Sequence, residues 1–191
     1  MDINKVYLGD CLEIMPSIGD KSIDLILTDP PYPDQHLEYG DCDLSFLKGF
    51  DCRQLIFWSA KVDFPLDYTA IHIWDKKCGV GSMYERIFER NGGKAYKVFR
   101  YYLINSTVAA KYAKDIFTGH PSQKPIQLIE DLIKTYTKEG DTILDPFAGS
   151  GTTGVACKNL NRNYILIEKE PKYYDIILKR LSETQPRLLD K

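Results

Sequence analysis

The sequence predicts one α/β domain built on a mostly parallel β-sheet with helices on both faces. Short apolar runs bounded by turn residues are typical of strands buried on both sides. These runs are residues 23–28, 55–58, 70–74, 142–144 and 164–167. Other segments place apolar residues three and four positions apart, as helices do. These segments are residues 126–136, 173–181 and, more briefly, 84–88. Because strands and helices alternate, a parallel sheet is favoured.

The composition excludes several classes of protein. The chain has 191 residues, 43% of them hydrophobic and 27% charged, as in ordinary globular domains. It contains no repeats and no Pro/Gly/Ser linker, so we expect residues 1–191 to form a single domain. Five cysteines show neither a disulfide framework nor zinc-ligand spacing, which predicts free thiols and no metal site. No apolar run approaches the roughly 20 residues of a membrane span, and the start lacks the order of a signal peptide, so a cytoplasmic protein is expected.

Charge is distributed unevenly along the chain. Residues 1–69 carry 5 basic and 13 acidic groups, whereas residues 97–138 carry 7 and 3. A polyanion is therefore expected to meet the middle of the chain. There, residues 96–117 interleave aromatic side chains with cations, which suits nucleic-acid binding. On this segment alone, an antiparallel hairpin with solvated lysines is the favoured alternative. The cations are Lys97, Arg100, Lys111 and Lys114.

The segment DPFAGSGTT at 145–153 has the context of a cofactor loop. It follows the apolar run 142–144 and precedes a helical segment, and its Gly149 and Gly151 permit sharp turns close to a ligand. It is neither a Walker loop nor a GxGxxG loop, so phosphate is not the obvious ligand. One strand later, Glu168 stands where an acid commonly holds ribose hydroxyls. The alternative for the loop alone is a tight turn without a ligand.

Two further motifs carry polar groups next to predicted elements. The tetrapeptide DPPY, Asp29 to Tyr32, follows the strand at 23–28 and offers an acid, a free carbonyl and an aromatic ring. That set suits a planar base with an amino group, although a rigid turn is the plain alternative. The motif HPSQKP, 120–125, opens the helix at 126, and Ser122 and Pro125 also suit a simple helix start.

Together these motifs resemble the S-adenosylmethionine-dependent amino-methyltransferases of DNA, in the permuted order with DPPY before the cofactor loop. The resemblance implies a Rossmann-like methyltransferase fold, S-adenosylmethionine as cofactor, DNA as partner, and no metal. It assigns catalysis to Asp29, Pro30, Pro31 and Tyr32, and base contact to Trp74 within HIWDKK (72–77). It assigns cofactor contacts to Asp10, His120, Ser122, Gln123, Lys124, Asp145, Phe147, Gly149, Gly151, Thr152 and Glu168.

The resemblance also implies a mechanism, and it changes the favoured interpretation of residues 96–117. Asp29 and the Pro30 carbonyl would accept hydrogen bonds from the target amino group while the base, extruded from the duplex, stacks on Tyr32 and Trp74. The leading acid of DPPY favours N6 of adenine in DNA. The alternatives are N4 of cytosine, adenine in RNA, and a non-catalytic cofactor-binding subunit. In this family residues 96–117 lie where substrate-binding structure is placed, which now favours DNA contact by their cations.

The chain departs from family members that recognise a defined sequence. Such enzymes insert a recognition region between the element near Trp74 and HPSQKP, but here residues 94–119 span only 26 positions. A separately folded module normally needs about 50 residues or more, so we expect only a short substrate-contacting insertion. Three solutions stay open: a short or relaxed target, recognition shared across a homodimer, or recognition by another protein.

Overall fold

The computed structural model describes residues 1–19, 22–34, 43–77, 83–102, 118, 120 and 122–185. The strands in this part are β1 (Lys5–Leu8), β2 (Leu25–Thr28), β3 (Arg53–Trp58), β4 (Ala70–Asp75), β5 (Tyr84–Arg90), β6 (Val98–Arg100), β7 (Thr142–Asp145) and β8 (Asn163–Glu168). The α-helices are α1 (Cys11–Ile14), α2 (Ile126–Tyr136), α3 (Thr152–Asn159) and α4 (Pro171–Glu183). Short 3-10 turns occupy Met15–Ser17 and Leu44–Gly49. None of the described helices has the length and apolar character needed to cross a membrane.

The strands form one sheet in the order β1-β8-β7-β2-β3-β5-β4-β6. From β1 to β3 all neighbours are parallel, whereas β5 runs antiparallel to both β3 and β4, and β6 is parallel to β4. The predicted α/β fold with a mostly parallel sheet is therefore confirmed. From β7 the chain continues to β8 on one side, and from β2 to β3 on the other. The point where the strand order reverses, a preferred ligand position in such sheets, thus lies between β7 and β2.

All five predicted strands are present, but the prediction of a helix at residues 84–88 is wrong. These residues belong to β5, which pairs along its length with both β3 and β4. Ile87 packs in one layer of the core and its neighbour Phe88 in the other, as adjacent strand residues do. A strand buried on both faces has no alternating pattern, so three apolar residues were too few to distinguish it from a helix.

The sheet separates two apolar layers. On one face, Leu25 and Leu27 of β2 pack with α2, α3 and α4, which contribute side chains such as Leu132. Ile26 points to the opposite face, where α1 and the two 3-10 turns supply the cover. This alternation follows from the strand geometry, in which successive side chains point to opposite faces. The strands between these layers are rigid supports for the loops at their carboxyl ends.

Candidate active site

Four acidic residues meet at one edge of the sheet. Glu168 ends β8, Asp145 ends β7, and Asp29 and Asp10 follow β2 and β1 closely. Because these four strands are parallel neighbours, their carboxyl ends open on the same side. The acids line a cleft of about 650 Å³, within the range of about 300–1,000 Å³ usual for small-molecule sites.

Asp145 anchors the glycine-rich loop to the strand ends. Its Oδ1 accepts hydrogen bonds from Thr28 Oγ1 at 2.8 Å and from Phe147 N at 3.2 Å, and its Oδ2 accepts from Thr153 Oγ1 at 2.6 Å. The side chain is buried, and burial raises its pKa to about 6. Asp145 therefore ties β2, the loop and the first turn of α3 together.

Glu168 holds the loop from the other side. Its Oε2 accepts from Gly149 N at 2.7 Å and its Oε1 from Glu170 N at 2.8 Å, while burial raises its pKa. A carboxylate offers about four acceptor positions, so two backbone bonds leave capacity for a ligand's hydroxyl groups. Phe147 lines the same cleft, as does Thr152, whose Oγ1 accepts from Arg180 Nη1 at 3.2 Å.

The two glycines of the loop have different surroundings. Gly149 lines the cleft with φ +53°, and a Cβ there would lie 3.1 Å from the His120 ring. Gly151 has φ +75°, but its added Cβ would lie 2.8 Å from Ile177 Cγ2 in α4. Gly151 is not among the described residues that line the cleft. A side chain at Gly151 would therefore point into α4, which gives this glycine a packing role. Its contact with the cofactor stays a prediction.

Asp10 serves both as a helix cap and as part of the cleft. Its Oδ1 accepts from Leu12 N at 2.9 Å at the start of α1, and its Oδ2 lies 2.9 Å from Lys169 Nζ. The hydrogen bond from Lys169 is the main reason why the pKa of Asp10 is lowered. Asp10 therefore remains an anion at the end of the cleft formed by β1 and β8.

The DPPY residues surround a buried carboxylate. Asp29 accepts hydrogen bonds from the Tyr32 hydroxyl and from Lys124 Nζ, one on each oxygen. Burial raises the pKa of Asp29, and the charge of Lys124 opposes that effect. Pro30 and Pro31 line the cleft beside Asp29. The Tyr32 ring packs instead against Trp58, with ring centroids 5.3 Å apart, and is 4% exposed, so it does not present an open face to the cleft.

Lys124 links Asp29 to two further charged side chains, Glu85 and Lys76. Its Nζ lies 3.3 Å from Glu85 Oε2, and Glu85 Oε1 lies 2.6 Å from Lys76 Nζ. Burial lowers the pKa of Lys124, but Asp29 and Glu85 together raise it above its ordinary value. Burial likewise opposes ionisation of Glu85, yet the two lysines hold its pKa below the usual range.

The rest of the HPSQKP segment divides between cleft and support. His120 and Ser122 line the cleft, and Ser122 N donates to His120 Nδ1 at 3.2 Å. Burial and then Lys124 lower the pKa of His120 to about 4, and its ring packs edge-on against Tyr173. Gln123 is buried and accepts from Thr118 N and Oγ1 at 2.9 and 2.7 Å, so it braces the segment and is not among the residues of the cleft.

The structure describes only some of the residues that were expected to contact nucleic acid. Trp74 is fully buried, edge-on to Phe57, and its Nε1 donates to Tyr101 O at 2.9 Å. Our expectation that Trp74 stacks on an extruded base is corrected, because its side chain on β4 points into the core layer that contains Phe57 and Ile87. Lys97 and Arg100 are exposed near β6, and Arg100 Nε lies 3.5 Å from Asp75 Oδ2. Lys111 and Lys114 lie outside the described residues.

This arrangement of motifs and fold has a counterpart among known proteins. A family model described as DNA methylase, of the N6/N4 methyltransferase type, matches residues 52–179. The chain belongs to this DNA methylase family. The match covers the strands from β3 to β8 and most of α4, and so includes HPSQKP and the glycine-rich loop.

Individual relatives of this family member include Type II methyltransferases. M2.DpnII of Streptococcus pneumoniae is 44% identical over 104 residues, covering 48% of this chain and 39% of that protein. M2.MboI of Moraxella bovis is 29% identical over 243 residues, covering 96% and 89%. The chain thus spans well under half of the first relative and most of the second. The 243 aligned positions exceed the 191 residues here, so M2.MboI contains segments without a counterpart in this chain.

Solved structures of related enzymes share the fold. The M1.HpyAVI complex with SAM matches with a TM-score of 0.63 at 24% identity, covering 93% of this chain and 98% of that one. PvuII DNA methyltransferase, described as cytosine-N4-specific, matches with a TM-score of 0.64 at 16% identity, covering 100% and 97%. At these identities the likeness concerns the fold alone.

Several residues at the site were missed from the sequence. Glu85 stood in a segment expected to be helical, and Lys76 belongs to HIWDKK but had no role assigned. Tyr173 on α4 lines the cleft and packs on His120. No local signal marks these residues, because each reaches the site from a part of the chain that is distant in sequence. Within the described ranges, no group of three or more His, Cys, Asp or Glu side chains is arranged to hold a metal ion.

Proposed function

We propose that this chain transfers a methyl group from S-adenosylmethionine to N6 of adenine in DNA. The observation that carries the proposal is the shared cleft: Asp29 of DPPY and the glycine-rich loop with Glu168 line one cavity at the switch point of the sheet. A cofactor on the loop would therefore lie beside the acid that is suited to hold an amino group. Membership of the DNA methylase family supports the same reaction.

The residues present fit S-adenosylmethionine. Glu168 retains acceptor capacity for ribose hydroxyls, Phe147 offers an aromatic surface, and Asp10 adds an acceptor at the far end of the cleft. Acids on four strand ends favour a ligand that carries positive charge. S-adenosylmethionine would supply an electrophilic methyl group on its sulfonium sulfur.

The chain's own residues would orient the target amino group. Asp29 and the Pro30 carbonyl would accept its two N–H bonds, which makes the nitrogen more pyramidal and frees its lone pair for attack. Each Asp29 oxygen accepts one hydrogen bond from Tyr32 or Lys124, and a carboxylate has about four acceptor positions, so capacity remains. No covalent intermediate with the protein is needed. In place of Tyr32 and Trp74, apolar cover for an extruded base would come from Pro31, which lines the cleft and is partly exposed.

Target recognition is proposed to be limited. Residues 94–119 form a short insertion of 26 positions, and we assign phosphate contacts to Lys97, Arg100, Lys111 and Lys114 within it. So few groups can read few base edges. We therefore propose a target of a few base pairs, or recognition shared across a homodimer.

The reaction can be tested with purified protein. The protein would be incubated with methyl-labelled S-adenosylmethionine and mixed-sequence DNA or RNA, and the methylated nucleoside would be identified by mass spectrometry. N6-methyladenine in DNA is the expected product, and the Asp29→Ala variant should form very little of it. N4-methylcytosine or methylated RNA would overturn the substrate assignment, and S-adenosylmethionine binding without any methylation would indicate a non-catalytic subunit.

A further inference from the structure

A buried chain of four charges leads from the proposed catalytic acid to the antiparallel half of the sheet. Asp29 follows β2, Lys124 precedes α2, Glu85 lies on β5 and Lys76 follows β4, so four separate elements contribute. Their side chains are 19%, 9%, 15% and 9% exposed respectively. Negative and positive charges alternate along the chain, and its net charge is zero.

The contacts of Lys124 are directed at the two carboxylates. Its Nζ donates to Asp29 Oδ2 and lies 3.3 Å from Glu85 Oε2. Among the described residues, that buried Glu85 oxygen has no hydrogen-bond partner, so its attraction to the Lys124 cation is what compensates its burial. Lys76 occupies the other oxygen of Glu85 at 2.6 Å. Lys124 is thus held from both sides in the position where it donates to Asp29.

We propose that Lys124 is a positioning residue that keeps Asp29 ionised and oriented for the target amino group, and that Glu85 and Lys76 hold Lys124 in place. This inference rests on the proposed methyl transfer. Lys124 also lines the cleft, but both of its ion pairs are made with protein carboxylates, so the inference assigns it to Asp29 rather than to the cofactor.

The chemistry explains why Asp29 needs such a partner. A protonated carboxyl group gives up one acceptor and gains a donor, which suits an amino group poorly. Burial of Asp29 favours that protonated form, and an adjacent cation opposes it. The charged or titratable groups that face Asp29 are Tyr32, Lys124 of the turn before α2, Glu85 of β5 and Asp145 of β7. Lys124 is the cation in this set.

Two neutral variants of similar shape should shift the pH profile differently. Lys124→Met removes the cation, so the acid limb of turnover, and the Asp29 titration observed by carbon-13 NMR in cofactor-free protein, should move to higher pH. Glu85→Gln removes an anion that raises the pKa of Asp29, so the limb should stay in place or move to lower pH. General damage to the fold would not separate the two variants in this way.

The magnitudes distinguish positioning from cofactor binding. Turnover of Lys124→Met at neutral pH should fall roughly 10- to 100-fold, the range for one charge-assisted hydrogen bond, while its Kd for S-adenosylmethionine stays close to that of wild type. Glu85→Gln should lower turnover less, again with an unchanged Kd. Lys5→Met, at an exposed lysine paired with Asp2, serves as the control and should behave as wild type.

A large loss of cofactor affinity in Lys124→Met, with the Asp29 titration unmoved, would overturn the inference. If Lys124→Met does not fold, Glu85→Gln decides it: unchanged turnover, or an acid limb shifted to higher pH, would be the contrary result. The NMR titration does not require activity. A protein that shows the Asp29 shift but methylates no DNA would therefore refute the proposed function and leave the electrostatic pairing established.

Discussion

Gly151 is the N-cap residue of α3, has a left-handed backbone conformation and packs directly against α4. Its φ is +75°, and a Cβ added there would lie 2.8 Å from Ile177 Cγ2 and 2.9 Å from Ile177 Cγ1, well inside the ordinary carbon contact distance of about 3.5–4.0 Å. Ile177 is fully buried in the core, so it has little room to move. Gly151→Ala should therefore destabilise the protein through both backbone strain and overpacking.

The magnitude follows from these two terms. Left-handed backbone costs a residue with a Cβ about 1–2 kcal/mol, and overpacking a core typically costs about 1–3 kcal/mol. The sum, about 2–5 kcal/mol of unfolding free energy, should lower the Tm by about 4–20 °C for a chain of this size.

Variants at two other glycines distinguish the cost of backbone strain from the cost of overpacking. Gly140 has φ +84° with no atom within 4 Å of an added Cβ, so Gly140→Ala should show the strain alone. At Gly154, inside α3, a Cβ would lie 2.6 Å from Leu166 Cδ1 without left-handed strain, so Gly154→Ala should show the packing cost, reduced by the higher helix propensity of alanine, about 1 kcal/mol. Thermal unfolding of the three variants should place Gly151→Ala as the least stable.

A measurement of cofactor binding can refute the assignment of Gly151 to packing. Calorimetric titration of S-adenosylmethionine, performed well below each melting transition, should show a smaller affinity loss for Gly151→Ala than for Gly149→Ala, since only Gly149 lines the cleft. If Gly151→Ala melted like Gly140→Ala but no longer bound the cofactor, the packing argument would be wrong.

Four other predictions concern the site and its substrate. Asp29→Ala should lose most methyl transfer in the labelled-cofactor assay but keep most DNA affinity in filter binding, because phosphate contacts dominate that affinity; near-normal turnover would contradict its assigned role. Glu168→Ala should weaken S-adenosylmethionine binding by about 1.5–3 kcal/mol by calorimetry, and an unchanged affinity would remove Glu168 from the cofactor site. His120, whose pKa lies at about 4, should stay neutral by NMR above that pH; since the unfolded chain binds a proton from pH about 6.5 downward, this group should lower the unfolding free energy as the pH falls from 6.5 to 4. DNA affinity should fall with salt at a log–log slope of about −3 to −4 if all four cations of the insertion bind phosphate, and a much steeper slope would indicate further contacts or a second subunit.

The sequence alone determined the fold class and the acids of the site. Buried parallel strands appear as short apolar runs, and five such runs became β2, β3, β4, β7 and β8. The functional groups follow strand ends, so the parallel arrangement brings Asp29, Asp145 and Glu168 together without further information. These features are local in sequence, and local patterns are what a single sequence records.

Only the tertiary structure decided which residues face the cleft and which face the core. Trp74 belongs to a motif that predicts base contact, yet β4 lies between β5 and β6 and its Trp74 side chain is fully buried in one core layer. Gly151 lies in the glycine-rich loop, but glycine is needed there because a Cβ would collide with Ile177. Glu85 contacts Lys124, which is 39 positions away in the sequence. The physical reason is the same in each case. The partner of a side chain depends on which strands pair and which helix packs above them, and the local sequence around the residue records neither.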